Sequence, residues 1–287
     1  MATTHNRIIT AACLALASIT LAVGEDSPVQ SPARPYSLNI VAPVQLAGSD
    51  AAAQAFQTDV LPGMVKTEQT LLPETKFESA QYLSTISVDP SHLVLSSDTT
   101  ARVYFLGEGA GYRNTLGIST TTGDPKDNGG PNSLGAALIF PNASSSVGFG
   151  GSGTPLRSND EPLLAGDFVN LGNLKAGSTL DFFLIANGAG GGNGVVSTNK
   201  TLNSDGMVHA LAMASPGSPY LIISYEDMLG QVGHGPDYDF NDVYFAVELG
   251  SANVAKIMGV GAPEPSLALG ALLAGGFLFG CSRRRMA

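Results

Sequence analysis

Glu226 and Asp227 are followed ten residues later by Asp237, Asp239, Asn241 and Asp242. Hard oxygen ligands at alternate positions suit Ca2+, which takes carboxylate and amide oxygens in a flexible shell. Five carboxylates and one amide in so short a stretch repel one another unless cations or hydrogen bonds satisfy them. The segment is not an EF-hand. Asp237, Asp239 and Asn241 fit ligand positions one, three and five, but Asp242 stands where the turn requires glycine. Glu248, at position twelve, lies across a strand-like run, roughly 20 Å away at about 3.3 Å per residue. A second reading stands beside calcium: Asp and Asn shape turns through side-chain-to-backbone hydrogen bonds.

Two strands must position this cluster. YLIISYED and DVYFAVE read as consecutive antiparallel strands, so the end of one lies beside the start of the other. Val243, Phe245 and Val247 then point one way, and Tyr244, Ala246 and Glu248 the other. Further short runs bounded by Gly, Pro, Asn or Asp are HLVLS, ARVYFLGEG, GAALIFP, TLDFFLIAN and VHALAMAS. Phe182, Phe183 and Leu184 run without alternation, which marks a central strand covered on both faces. Seven such runs without intervening helical patterns predict a mainly β fold, an antiparallel sandwich of jelly-roll type, over residues 85–250.

Before the strands, residues 25–84 read as a linker plus a short helical segment. Glu25 to Pro43 lacks periodicity, and Ser49 is positioned to cap a helix over Asp50 to Leu61 that stops before Pro62. Its apolar face would be Ala52, Ala55, Phe56 and Val60, with a second short helix over Phe77 to Leu83. Residues 251–262 read as another linker. The glycine-rich runs at Gly148 and after Asn187 read as flexible loops; neither is followed by the Lys-Ser/Thr pair of a phosphate-binding loop.

Other candidate chemistry is thinner. In GEGAGYRN, Arg113 is placed to pair with Glu108, with Tyr112 and Asn114 organising a loop or contacting a partner. Asp124, Asp127 and Asn128 form a weaker cation candidate. His92, His209 and His234 occur without the HExxH or GxSxG spacings of hydrolases, so the reading is non-enzymatic.

Charge narrows the partners. The chain has 14 Lys and Arg against 24 Asp and Glu. Four of the basic residues and one acidic residue are terminal, which leaves 10 against 23 in the middle. Nucleic acid is excluded as a partner because phosphate contacts need clustered Lys and Arg. Both cysteines, Cys13 and Cys281, are terminal too, so the middle has no disulfide or thiolate chemistry.

The two ends read as targeting segments. Residues 1–24 have a basic start, a 16-residue apolar core and small residues at Ala22 and Gly24, the pattern of a signal peptide cleaved after Gly24. Residues 263–287 combine Pro263, Glu264 and Pro265 with an apolar run and Arg283, Arg284 and Arg285. An apolar run of that kind stalls in the membrane while the arginines stay cytoplasmic. This tail resembles the PEP-CTERM sorting signal. The resemblance implies an exosortase as partner, transient inner-membrane anchoring, cleavage near Pro265, and a Gram-negative bacterium that secretes exopolysaccharide.

Three blocks, Tyr104 to Ser119, Ala176 to Gly188 and Tyr220 to Glu248, resemble the domain of unknown function 4114 of exported bacterial proteins, placed at about Thr85 to Gly250. The expectation is therefore a surface or extracellular-matrix protein with a calcium-stabilised acidic loop. The alternative is a carbohydrate-binding module for exopolysaccharide that uses exposed aromatics such as Tyr36, Tyr112 or Tyr238. A glycosidase-like enzyme is a third reading, and other matrix proteins are further possible partners.

Overall fold

A computed structural model describes residues 29–64, 87–121, 130–132, 135–148, 155–230 and 239–259. The expected signal peptide and sorting tail, the expected helix over Phe77 to Leu83 and the Asp124–Asn128 candidate lie outside the described residues.

The fold is mainly β, as expected, in two antiparallel sheets. In chain order the strands are β1 (Ser87–Val88), β2 (Leu93–Val94), β3 (Thr99–Gly107), β4 (Thr115–Thr121), β5 (Ala137–Phe140) and β6 (Phe168–Leu174). They continue with β7 (Thr179–Ala186), β8 (Gly194–Ser197), β9 (Ala210–Met213), β10 (Tyr220–Tyr225) and β11 (Val243–Glu248). One sheet has six strands in the order β1-β9-β10-β11-β3-β6. The other has five: β2-β7-β4-β5, with β8 also on β7. The chain crosses between the sheets repeatedly, so several paired strands, such as β3 and β11, are distant in sequence.

Between the sheets, Val103, Phe105, Ile223, Val243, Phe245 and Val247 meet Leu116, Ile118, Leu180, Phe182 and Leu184 in one apolar cluster. The Phe182 and Phe245 rings lie 5.2 Å apart across it. Tyr225 donates its hydroxyl proton to the carbonyl oxygen of Phe182 at 2.7 Å, so the sheets also share a buried hydrogen bond. The unalternating run in β7 is explained by its place: Phe182 and Leu184 face this core, while Phe183 and Ile185 face a second cluster with Leu138.

The outer face of the six-stranded sheet is also covered. Helix α1 (Ala51–Ala55) runs on through a π-turn (Phe56–Val60) to residue 64. It lays Ala53, Phe56, Leu61 and Met64 on Tyr104, Phe168, Tyr244 and Ala246. Phe56 stacks on Tyr104 at 3.8 Å. The sequence placed the cap, the face and the end of this helix differently. Asp50, not Ser49, is the cap: its Oδ1 accepts from Ala53 N at 2.8 Å, and its carboxylate also holds Arg102 of β3. Of the expected face, Phe56 and Val60 do pack on the sheet, while Ala52 and Ala55 are exposed. Pro62 does not end the helix; the widened turn just before it absorbs the disturbance that proline brings to the ladder.

Both expected linkers belong to the domain where they are described. Val29 and Val44 are buried in the main core. Ile40 bridges Leu138 of β5, and Gln45 bridges Phe168 of β6, so this segment covers an edge strand of each sheet. After β11, helix α2 (Ser251–Ile257) buries Asn253 and Val254. The Asn253 side chain accepts from Ser96 N and Ser97 N and donates to Leu249 O, which pins α2 to the sandwich.

Candidate functional site

Tyr225 pairs with Val243 at the end of the β10–β11 ladder, so Glu226 and Asp227 leave one strand beside Asp242 entering the other. The ladder continues past the strands: Asp242 N donates to Tyr225 O and Glu226 N to His209 O, both at 3.0 Å. Asp242 Oδ2 then accepts the backbone N–H of Asp227 at 2.7 Å. Side-chain oxygens of Glu226, Asp227 and Asp242 all lie within 4.8 Å of one another. Glu226 and Asp227 are almost fully buried, at 1% and 3% exposure. Burial, followed by the charge of Asp227, pushes the Asp242 carboxyl up to about 8.

A third segment joins them. Gly107, the last residue of β3, pairs with Tyr244, which brings the following loop to the same end of the sandwich. Glu108 is buried there, and burial pushes its carboxyl up to about 7, with Glu161 and Asp227 adding repulsion. Glu108 Oε1 accepts from Ser145 N at 3.1 Å. At Gly109 the backbone approaches so closely that a Cβ would fall 2.8 Å from Asn241 Oδ1. Asn114, 1% exposed, donates from Nδ2 to Asp227 Oδ2 at 2.6 Å and accepts from Asn187 N at 2.9 Å.

The sequence left Glu108 and Asn114 out of the acidic site and matched Glu108 with Arg113. In the fold Arg113 is exposed and pairs with Asp160, while Glu108 turns inward. The pairing of β3 with β11 spans over a hundred residues, so the only local signal was a glutamate between two glycines at a strand end.

Of the six residues the sequence offered, three converge. Asp239 and Asn241 stand at the entry to β11, where Asp239 accepts from Asn241 N at 3.2 Å and from the Asn241 side-chain amide. That is the turn-shaping geometry of the competing reading. Phe240 between them is held at φ 56°, a left-handed conformation uncommon for a bulky residue. Asp237, Tyr238 and His234 lie outside the described residues. His209 is fully buried beside the cluster: Nδ1 faces Glu226 O at 3.2 Å and Nε2 faces Asp205 Oδ2 at 2.9 Å. It braces the backbone that carries Glu226. Chemically, the arrangement is a set of buried and half-buried hard oxygens at the adjoining ends of two strands, with a third segment alongside, suited to a divalent cation.

Residues 174–250 match the family model described as Domain of unknown function (DUF4114). The match runs from the last residue of β6 past β11, shorter than the span expected from sequence. It includes Glu226, Asp227 and Asp242 and leaves Glu108 and Asn114 before it. No curated protein and no solved structure matches the chain.

Proposed function

We propose that this chain is a non-enzymatic β-sandwich module, exported to the cell surface or extracellular matrix of a Gram-negative bacterium. An exosortase sorts it through the PEP-CTERM tail, and Ca2+ stabilises it at Glu226, Asp227 and Asp242. The observation that carries the calcium reading is the convergence of these three carboxylates, oxygens within 4.8 Å, from both strands of one hairpin. Buried like charges disfavour ionisation, and a divalent cation reverses that sign. The middle of the chain has no cysteine for a disulfide, so a bound cation is a natural staple for an extracellular domain.

Thermal melting of the protein in chelator and in calcium tests this. Extracellular modules bind Ca2+ with Kd of roughly 10⁻⁴ to 10⁻³ M, and a hundredfold excess over Kd adds about 2.7 kcal/mol. Melting that is unchanged between chelator and ~5 mM calcium, a concentration above that range, removes the calcium site. The sorting reading is tested separately, by intact mass from the native host. Mature surface protein that still carries Cys281 and Arg283 to Arg285 removes it.

A further inference from the structure

The turn between β7 and β8 carries a feature that the acidic cluster does not explain. A solvent-open cleft of about 270 Å3 lies between Pro35 and Tyr36 on one side and Gly188, Gly191, Gly192 and Asn193 on the other. Tyr36 is 41% exposed, yet its ring does not swing freely: the hydroxyl donates to Asn193 O at 2.6 Å, across 157 residues of sequence. Tyr36 and Ser37 both adopt left-handed backbone conformations, at φ 55° and 57°. Two adjacent non-glycine residues in that region are strained, and such strain gathers where a side chain is held for a ligand.

The lining chemistry selects the ligand class. None of the six residues is acidic, basic or histidine, so a phosphate, nucleotide or metal ion finds no counter-charge here. What the cleft offers is one tethered tyrosine, glycine backbone, and the exposed Asn193. An aromatic wall with few polar groups is the ordinary make-up of a small-molecule site, and a fixed tyrosine contributes contact area at low entropic cost. A pyranose ring presents a C–H face to such a wall and hydroxyls to an asparagine amide. A second exposed tyrosine, Tyr112, borders the same turn, because the neighbouring Arg113 bonds to Asn187 Oδ1 and Ala189 N.

We propose that the Tyr36–Asn193 cleft is a subsite for a neutral saccharide unit, with Tyr36 as stacking platform and Asn193 as hydrogen-bonding partner. The site goes beyond the calcium reading and does not depend on it. Saturation-transfer NMR on the full-length protein with neutral gluco-, galacto- and manno-oligosaccharides tests it, in chelator and again in calcium. The expected result is transfer to the C–H protons of at least one neutral series, with Kd of order 1 mM. Tyr36→Ala should weaken binding about tenfold, equivalent to ~1.4 kcal/mol. Tyr36→Phe should keep most of it, and Asn193→Ala should weaken it by an intermediate factor with unchanged melting. No transfer from any of the three series, or Tyr36→Ala binding like the parent, overturns the proposal. Saccharide binding in a protein whose melting ignores calcium would remove the calcium site and leave this one standing.

Discussion

Asp242 Oδ2 accepts the backbone N–H of Asp227 at 2.7 Å, so a carboxylate entering β11 closes the ladder that β10 leaves open. The bond gives Asp242 a structural task that an amide oxygen also performs. Its charge, by contrast, sits among Asp227, Glu226 and Asp239, all of which raise its pKa. The two roles are separable.

Asp242→Asn separates them. The amide keeps an acceptor for Asp227 N and loses the charge, so calcium-free melting should stay equal or rise. The calcium-induced increase, roughly 1–2 kcal/mol at ~5 mM calcium for a Kd in the range above, should largely disappear. Melting with and without chelator measures both. A calcium response equal to that of the parent would remove Asp242 from the site.

Stability without calcium should fall as pH rises. Asp242 is raised from 3.8 to about 8 and Glu108 from 4.5 to about 7, so between those limits the folded state holds more protons than the unfolded chain. Their contribution is therefore greatest near the acid end of that window and is lost as pH climbs through it. Calcium competes with these protons, so its stabilising effect should be larger at pH 8 than at pH 5. Melting across that range, in chelator and in calcium, should show opposite trends for the calcium-free protein and the calcium increment.

Asn114→Ala should destabilise strongly for a single polar change. It removes a bond to Asp227 and the acceptor of Asn187 N, both inside the fold. Loss of buried partners costs about 2 kcal/mol, or roughly 4–8 °C in a domain of this size. An exposed control, Thr201→Ala, should change melting by less than about 0.5 kcal/mol.

The helix over the outer sheet face is part of the domain, so Phe56→Ala should cost ~3–5 kcal/mol by opening a cavity against Tyr104 and Phe168. Removing residues 1–64 should uncover Tyr104, Phe168, Tyr244 and Ala246 and promote association. Urea unfolding and light scattering check the two in turn.

Much of the fold was legible in local pattern. A strand has a period of two, so Val243, Phe245 and Val247 announced one face of β11, and Glu226 and Asp227 after β10 with Asp242 before β11 announced where charge collects. Local pattern did not mark β1, β4, β6 or β8; β1 is only two residues long, too short to show alternation. In β4, Gly117 takes the place of a packing residue because the Phe183 ring lies where its Cβ would be, 2.2 Å from Cζ. In β6, FVNLGNL carries polar residues opposite a register shift in β3, so the alternation breaks. The expected loop after Asn187 hid β8, four residues long, at its end.

By itself, then, the sequence determined that strands dominate, that β10 and β11 are neighbours, and that Glu226 and Asp227 lie near the acidic residues that lead into β11. Those facts depend on residues close together in the chain. Only the tertiary structure decided that Glu108 and Asn114 join that end of the sandwich, that the helix after Asp50 covers Tyr244, and that the Tyr36 hydroxyl reaches Asn193 O. Each of these needs two segments brought together by sheet pairing or core packing. Such contacts depend on which apolar faces bury each other, a choice no local spacing records.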